Sequence, residues 1–322
     1  MEAMSAASNH DDVAYRPEGP LDPIAAQVAQ AFSAAPLQAF PIAQTREAMR
    51  AACAPSREPA LHSVEDHRVP VGGGAEIALR FYRPSPNPGA ILVWAHGGGF
   101  ALGSLEEIDN FARLLAARTG CAVASVEYRL APEHKFPIPV EDVEAATRWV
   151  LARRADLVGA EAPVWLGGDS AGGNLATVVA RRLHAAGKGE IAGEILVYPC
   201  TDSPDAASLR QFEPPFMSAD DVAWFIDLYL PGPEARTHPD FAPIRAADLG
   251  VLPKTLLITA EHDVLTGQGE AYAARLAASG VPVEVARIPG MIHGFLTLDP
   301  FLPGAARVAI DRIAAFIAGR SG

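Results

Sequence analysis

The residues best placed to do chemistry lie in Gly168-Asp169-Ser170-Ala171-Gly172, which keeps the spacing G-x-S-x-G. An apolar run, Val164-Trp165-Leu166, precedes it, and a helix-like run from Asn174 to Leu183 follows. A strand that turns sharply into a helix leaves its apex residue in a strained backbone conformation. Residues two before and two after the apex then lie against neighbouring backbone, where only a hydrogen side chain fits. The serine hydroxyl is held clear of the chain, with the free N–H groups of a helix N-terminus behind it. Such a serine is a candidate nucleophile for acyl transfer. A glycine-rich turn that merely contains a serine would read the same way, so other stretches must decide.

Attack by serine on an acyl carbon creates a tetrahedral oxyanion, which backbone N–H groups stabilise. His96-Gly97-Gly98-Gly99-Phe100 follows directly on the apolar run AILVWA. A triple glycine after a central strand lets the backbone approach that oxygen with N–H groups aimed inward. Gly97, Gly98 and Gly99, completed by the N–H of Ala171, are therefore the candidate oxyanion site.

The hydroxyl also needs a base, and the base an orienting acid. Nine histidines compete. His10 falls in a polar leading segment, His62 and His67 flank the first hairpin, His184 rides on a helix and His238 lies in an insert. His96 reads as a prop for the glycine loop. His293, in PGMIHGF after the last strand, sits where a loop returns to the serine. Asp263 follows the strand KTLLITA, with one helix and one strand before His293, so the two share a sheet edge. Asp202, after the preceding strand, and Glu261 are the rival acids.

The elements that must position these groups alternate. Asp22 reads as an N-cap with Pro23 at the first helical position, and a second short helix spans Ile42 to Ala52. SVEDHRVPV and AEIALRFYRP form a hairpin around Gly72-Gly73-Gly74, with Ile77, Leu79 and Phe81 on one face and Glu76, Arg80 and Tyr82 on the other. Helices over Leu105–Arg118, Val140–Arg153, Ala171–Ala186, Gly269–Ala278 and Ala305–Ala318 then separate strands AILVWA, CAVASVE, PVWLG, EILVYP, KTLLITA and PVEVARI. Eight strands in this rhythm predict an α/β fold with a mostly parallel sheet covered on both faces. Residues 201–252 break the rhythm with prolines, a helix near Ala219–Leu230 and large apolar side chains. They read as a cap insert, shared with N-terminal helices in residues 1–60, over a core of residues 61–200 and 253–322.

The chain has 322 residues, with 49% hydrophobic and 20% charged, a normal globular mix. Its net charge of -12 argues against nucleic acid or an anionic membrane surface as partner. Residues 1–19 read as loosely attached, and the first of them show neither the basic start nor the apolar stretch of a secretory signal. Three scattered cysteines, Cys53, Cys121 and Cys200, fit a reducing cytoplasm and show no zinc spacing.

With these residues assembled, the chain resembles the hormone-sensitive lipase family of bacterial esterases, from the first hairpin to the C-terminus. HGGGF (His96 to Phe100), YRLAPEHKFP (Tyr128 to Pro137), GDSAGGNLA (Gly168 to Ala176) and HGF (His293 to Phe295) carry the resemblance. It implies an α/β-hydrolase fold with a helical cap, Ser170 as nucleophile, Asp263 as acid, His293 as base, Gly97 to Gly99 with Ala171 as oxyanion site, and no cofactor. Phe100, Asp169, Phe216, Met217 and Phe295 are the candidate pocket residues. Relatives usually carry D-P-L-x-D-E-G where this chain has Asp263-Val264-Leu265-Thr266-Gly267-Gln268-Gly269. The second acidic pair, which supports the catalytic loop in some relatives, is thus replaced by Gly267 and Gln268. Glu127, Arg129, Glu133 and Asp142 around YRLAPE read as a structural ion-pair network. The expected activity is hydrolysis of short- to medium-chain acyl esters. An amidase or deacetylase with the same triad, or a non-catalytic receptor on the same scaffold, stands as the alternative. A homodimer through the last strand is a further expectation from the resemblance.

Overall fold

A computed structural model of the chain describes residues 15–32, 37–52, 57–159, 161–187, 191–302 and 304–319. Most of the expected loose leading segment, and Cys53, lie outside them. Residues 15–19 are described, and they are docked rather than loose: Tyr15 is buried.

Helices α1 (Pro23–Phe32) and α2 (Ile42–Ala52) precede an antiparallel hairpin of β1 (Ser63–Pro70) and β2 (Glu76–Arg83). The chain then runs β3 (Ile91–Ala95), α3 (Asp109–Thr119), β4 (Ala122–Val126), α4 (Ile138–Val158), β5 (Val164–Asp169), α5 (Ala171–Ala185) and β6 (Ile191–Val197). After α6 (Ala219–Tyr229) come β7 (Thr255–His262), α7 (Thr266–Ala278), β8 (Val283–Ile292) and α8 (Ala305–Ile317). All strands join one eight-stranded sheet in the order β1-β2-β4-β3-β5-β6-β7-β8. β2 pairs antiparallel with both neighbours, and every pair from β4 to β8 is parallel.

Alternation within apolar strands dictates the two-sided covering. Ile91, Val93 and Ala95 of β3 face one buried cluster, whereas Leu92 and Trp94 face another. A strand apolar on both faces must be shielded on both, as parallel sheets are. Helices α4, α5 and α7 supply the first cluster, and α1, α3 and α8 the second. The hairpin divides as its sequence suggests, with Ile77, Leu79 and Phe81 in the first cluster and, on the other face, Tyr82 in the second cluster and Arg80 bonded to Asp66. Among the described residues no helix is long and apolar enough to cross a membrane.

Boundaries differ where side chains bond to backbone. α3 begins at Asp109 rather than Leu105, because the Leu105 amide donates to Glu127 Oε2 (2.7 Å) and the chain turns before the helix starts. α7 begins a turn early, at Thr266, whose hydroxyl donates to the Ala260 carbonyl. β8 runs on to Ile292, past the expected end at Ile288, through an interruption in its pairing with β7.

A glutamate carboxyl lies inside this core. Glu194 of β6 is fully buried, its Oε1 accepting from Thr255 Oγ1 (2.8 Å) and Thr177 Oγ1 (3.3 Å). Burial raises its carboxyl to about 7, and the hydroxyl donors offset this only in part. The folded state therefore binds the proton more tightly than the unfolded chain, so stability falls as pH rises from the ordinary glutamate range through about 7. Glu194→Gln, which cannot ionise, is expected to gain about 3 kcal/mol on the wild type between pH 4.5 and 8, from the shift of 4.5 to about 7. Denaturant titrations of both proteins at the two pH values check this, and a pH-independent gap would refute it.

Candidate active site

The carboxyl ends of β3, β5, β7 and β8 open on one sheet edge, and the loops leaving them carry the candidate chemistry. Ser170 stands between β5 and α5 with φ 53° and ψ -118°, a conformation that non-glycine residues rarely hold and that costs about 1–3 kcal/mol. The turn is possible because the flanking glycines lie on backbone. A Cβ on Gly172 would sit 2.0 Å from the Ala95 carbonyl oxygen and 2.5 Å from that of His96. One on Gly168 would sit 2.4 Å from the Gly172 backbone.

From this apex a hydrogen-bonded row runs across the sheet edge. Ser170 Oγ lies 3.0 Å from His293 Nε2, and His293 Nδ1 lies 2.7 Å from Asp263 Oδ2. An ionised carboxylate only accepts, so Nδ1 carries the proton and Nε2 is left as the acceptor facing the serine hydroxyl. Asp263 is completely buried, and its Oδ1 accepts from the Leu265 amide (2.9 Å). The Tyr198 ring packs on the imidazole at 4.7 Å between centroids. A hydroxyl, an imidazole and a carboxylate in this order can move a proton from oxygen to nitrogen while the carboxylate holds the tautomer.

The glycine loop flanks the row, since β3 pairs directly with β5. Gly97 departs from its expected role: its N–H donates to Asp169 Oδ1 (3.0 Å) and so points away from any oxyanion. The amides of Gly98, Gly99 and Ala171 have no acceptor among the described residues, which leaves them as the candidate donors. Gly98 and Gly99 hold φ of 113° and 59°, as a glycine loop curling inward requires. His96 serves the loop: Nδ1 lies 2.7 Å from the Gly97 carbonyl, and the ring stacks on Tyr128 at 4.4 Å. Burial lowers its imidazole to about 4, so it stays neutral.

Asp169 is likewise not a pocket residue. It lies buried behind the glycine loop, with Trp94 Nε1 (3.2 Å) and the Gly97 amide both donating to Oδ1. Burial lifts its carboxyl to about 6, with the hydrogen bonds from Trp94 and Gly97 opposing that rise. Phe100 and Phe295 also leave the candidate pocket. Phe100 stacks on Tyr229 at 3.8 Å in one core cluster, and Phe295 is buried edge-on to Tyr198 in the other. Phe216 remains near the site: a Cβ on Gly294 would lie 4.0 Å from its ring edge, and the ring stands edge-on to Phe32. Met217, with φ 55°, follows it at the entry to α6.

The rival acids are occupied elsewhere. Asp202 Oδ1 accepts from Arg245 Nε (2.9 Å) and from the Ser203 amide (2.7 Å). Glu261 faces backbone amides of the N-terminal segment and of Gly290. The expected network around YRLAPE resolves into separate contacts: Arg129 grips Asp142 through two nitrogens, Glu133 pairs with Arg46 of α2, and Glu127 accepts from Leu105. Phe225 of α6, one of the large apolar residues of the cap insert but not among the candidate pocket residues, covers Gly99 so closely that a Cβ there would lie 2.3 Å from its ring. Gln268, noted in the sequence only as a departure from the acidic pair, proves to tie α7 to the loop after β6: its Oε1 accepts from the amides of Thr201 (2.6 Å) and Asp202 (2.8 Å). No periodicity marks either residue.

Fold and site together define a hydrolase of the α/β class. Residues 92–297 match the family described as the alpha/beta hydrolase fold, and the chain belongs to it, in the hormone-sensitive-lipase-like group that its motifs resemble. It is 35% identical to carboxylesterase NlhH of Mycobacterium tuberculosis over 259 residues, 78% of this chain and 81% of that protein. Ethyl acetate hydrolase of Pseudomonas putida is 34% identical over 252 residues, covering 75% and 78% of the two chains. The solved structure of a hyperthermophilic esterase from the archaeon Pyrobaculum calidifontis superposes with a TM-score of 0.85 at 38% identity, over 94% of this chain and 99% of that one.

The strain at the apex is open to direct measurement. Ser170→Gly is expected to be more stable than Ser170→Ala by about 1–2 kcal/mol, because only glycine relaxes in this conformation and its larger unfolded-state entropy offsets part of the gain. Chemical denaturation of the two variants gives the order, and the reverse order would mean that the elbow is unstrained.

Proposed function

We propose that the protein is a serine carboxylesterase acting on esters of short to medium acyl chains through an acyl-enzyme. The observation that carries this reading is the unbroken row Ser170–His293–Asp263 beside three amides without an acceptor among the described residues. Ser170 Oγ attacks the ester carbonyl as His293 Nε2 takes its proton, so the Oγ–C bond forms and the carbonyl oxygen becomes an oxyanion between Gly98, Gly99 and Ala171. Collapse breaks the C–O bond to the alcohol, which leaves with the proton returned by Nε2. Water then attacks the acyl carbon as Nε2 takes its proton, and collapse breaks the Oγ–C bond, so that the carboxylic acid leaves and the proton returns to Ser170 Oγ. Asp263 holds the imidazole in the tautomer each step needs.

A preference for modest acyl chains is supported by crowding: Ser170 is only 8% exposed, and Phe225 and Phe216 stand over the glycine loop and the histidine loop. The contact of Phe225 with Ala101 and Leu102, and of this cluster with Leu37 and Ile42, supports α6 and the N-terminal elements as a shared cap. The buried free thiols of Cys121 and Cys200 fit a reducing, cytoplasmic setting. β8 is the outer strand of the sheet, with Val285 exposed on it, and edge-to-edge pairing of two copies there would give a homodimer; light scattering at micromolar concentration tests it, and a monomer mass refutes it.

Ser170→Ala is expected to lower p-nitrophenyl butyrate hydrolysis at least about a thousandfold with an unchanged circular dichroism spectrum. Wild-type activity should fall on acidification as the imidazole takes up a proton. Residual turnover near that of the wild type in the alanine variant, or a flat pH profile, would overturn the reading. Matched ester and anilide substrates separate it from an amidase: faster cleavage of the anilide would shift the assignment.

A further inference from the structure

The strands that deliver the acid and the base stop pairing just before they do so. β7 and β8 are in register as far as Ala260 opposite Ile288, then resume only at His262 opposite Ile292, so three residues of β8 face Glu261 alone. These three include Pro289, which has no N–H, and Gly290, whose φ of 67° turns the chain. A bulge of this kind re-aims the residues beyond it and leaves ladder groups unpaired. Here they are paired by other means. The Gly290 amide donates to Glu261 Oε2 (2.7 Å), and its carbonyl accepts from the Asp22 amide (3.0 Å). Glu261 Oε1 accepts from the amides of Glu18 (3.0 Å) and Gly19 (2.7 Å), and the Glu261 carbonyl accepts from the Tyr15 hydroxyl (2.5 Å).

We propose that residues 15–22 form a clasp which, with Tyr15 and Glu261 as positioning residues, sets the distance between Asp263 and His293. Glu261 lies two residues before the acid, and Gly290 three before the base, so a carboxylate bonded to both sides fixes their separation at short range. The N-terminal segment closes the other side of the same carboxylate. Burial works against ionising Glu261, yet its three amide donors hold the carboxyl below the usual range. Tyr15 is kept in place by Gln211, which accepts from its amide (2.9 Å), and by Arg287, whose guanidinium lies 5.1 Å from its ring and pairs with Glu18 and Glu270. Gly267 completes the seat. A Cβ there would lie 3.2 Å from Tyr15 Cβ, so a side chain at this position would press on the tyrosine.

The proposal rests on the triad reading above, and its test keeps the two apart. Glu261→Gln retains the side chain's shape but can no longer accept at both ends. In the full-length chain with p-nitrophenyl butyrate, kcat is expected to fall roughly tenfold or more with KM within about twofold. The acidic limb of the kcat/KM profile should also move to lower pH, because a loosened Asp263 stabilises the imidazolium less. The other groups facing His293 are unaltered in the variant: Ser170 and Asp169 from the elbow, and Tyr198 beyond β6. Loss of the Glu261 charge alone would move the limb without lowering kcat, and a merely structural role would lower the melting temperature with neither change, so the clasp requires the kcat loss and the limb shift together. An unmoved limb, or a loss carried by KM alone, overturns the proposal. Should Glu261→Gln fail to fold, Tyr15→Phe decides on the same readouts, since it removes a single hydroxyl: a kcat loss of about two- to fivefold with the same direction of limb shift supports the clasp, and unchanged kinetics refute it. Wild-type and Ser170→Ala assays run alongside report on the esterase reading separately.

Discussion

The arrangement depends on how closely α5 approaches β3. Gly172 brings the first turn of the helix against the carbonyls of Ala95 and His96, where no side chain fits. That single approach does two things at once. It forces Ser170 into its unfavourable backbone conformation at the apex, and it places the Ala171 amide beside the glycine loop that leaves β3. The candidate nucleophile and the candidate oxyanion donors are therefore set by one backbone contact rather than by two independent loops. A site assembled on rigid element ends holds its geometry better than one assembled on loops. Hydrogen bonds from Tyr128 to the His96 carbonyl (2.8 Å) and from Gly97 to Asp169 then pin the loop from behind.

What could be read in the sequence follows from what leaves a local signature. Alternating and continuous apolar runs gave the strands, their order placed three loops at one sheet edge, and the glycine spacing marked the elbow. Each is a property of neighbouring residues. The features that were not legible join residues far apart. Gly97 looked like an oxyanion donor because nothing in HGGGF shows that a buried aspartate 72 positions later will accept its N–H. Phe100 and Phe295 looked like pocket residues because an aromatic beside a catalytic motif reads the same whether it lines a cavity or fills a core. Tyr15 looked detached because its partners lie about 200 or more residues away, beyond any periodic pattern. Glu261 was considered as an acid for its type and place. Only the bulge between β7 and β8 shows that its carboxylate completes a broken ladder instead.

The two carboxylates near the imidazole illustrate how burial and partners divide the work. Asp263 touches Nδ1 directly, and its remaining oxygen takes the Leu265 amide, so both ends of the group are committed to orientation. Asp169 makes no hydrogen bond to His293. It holds Gly97 and Trp94, and it acts on the imidazole only through space. Burial raises its carboxyl to about 6, and in its ionised form its negative charge would favour an imidazolium at His293. Burial opposes that charge, so keeping it costs stability, as is common where a site holds a group that the fold would rather neutralise. The same side chain thus links loop placement to the electrostatics of the base. Replacing it by a neutral isostere would separate the two effects, because an amide oxygen can still accept from Gly97 and Trp94 while the field at His293 is lost.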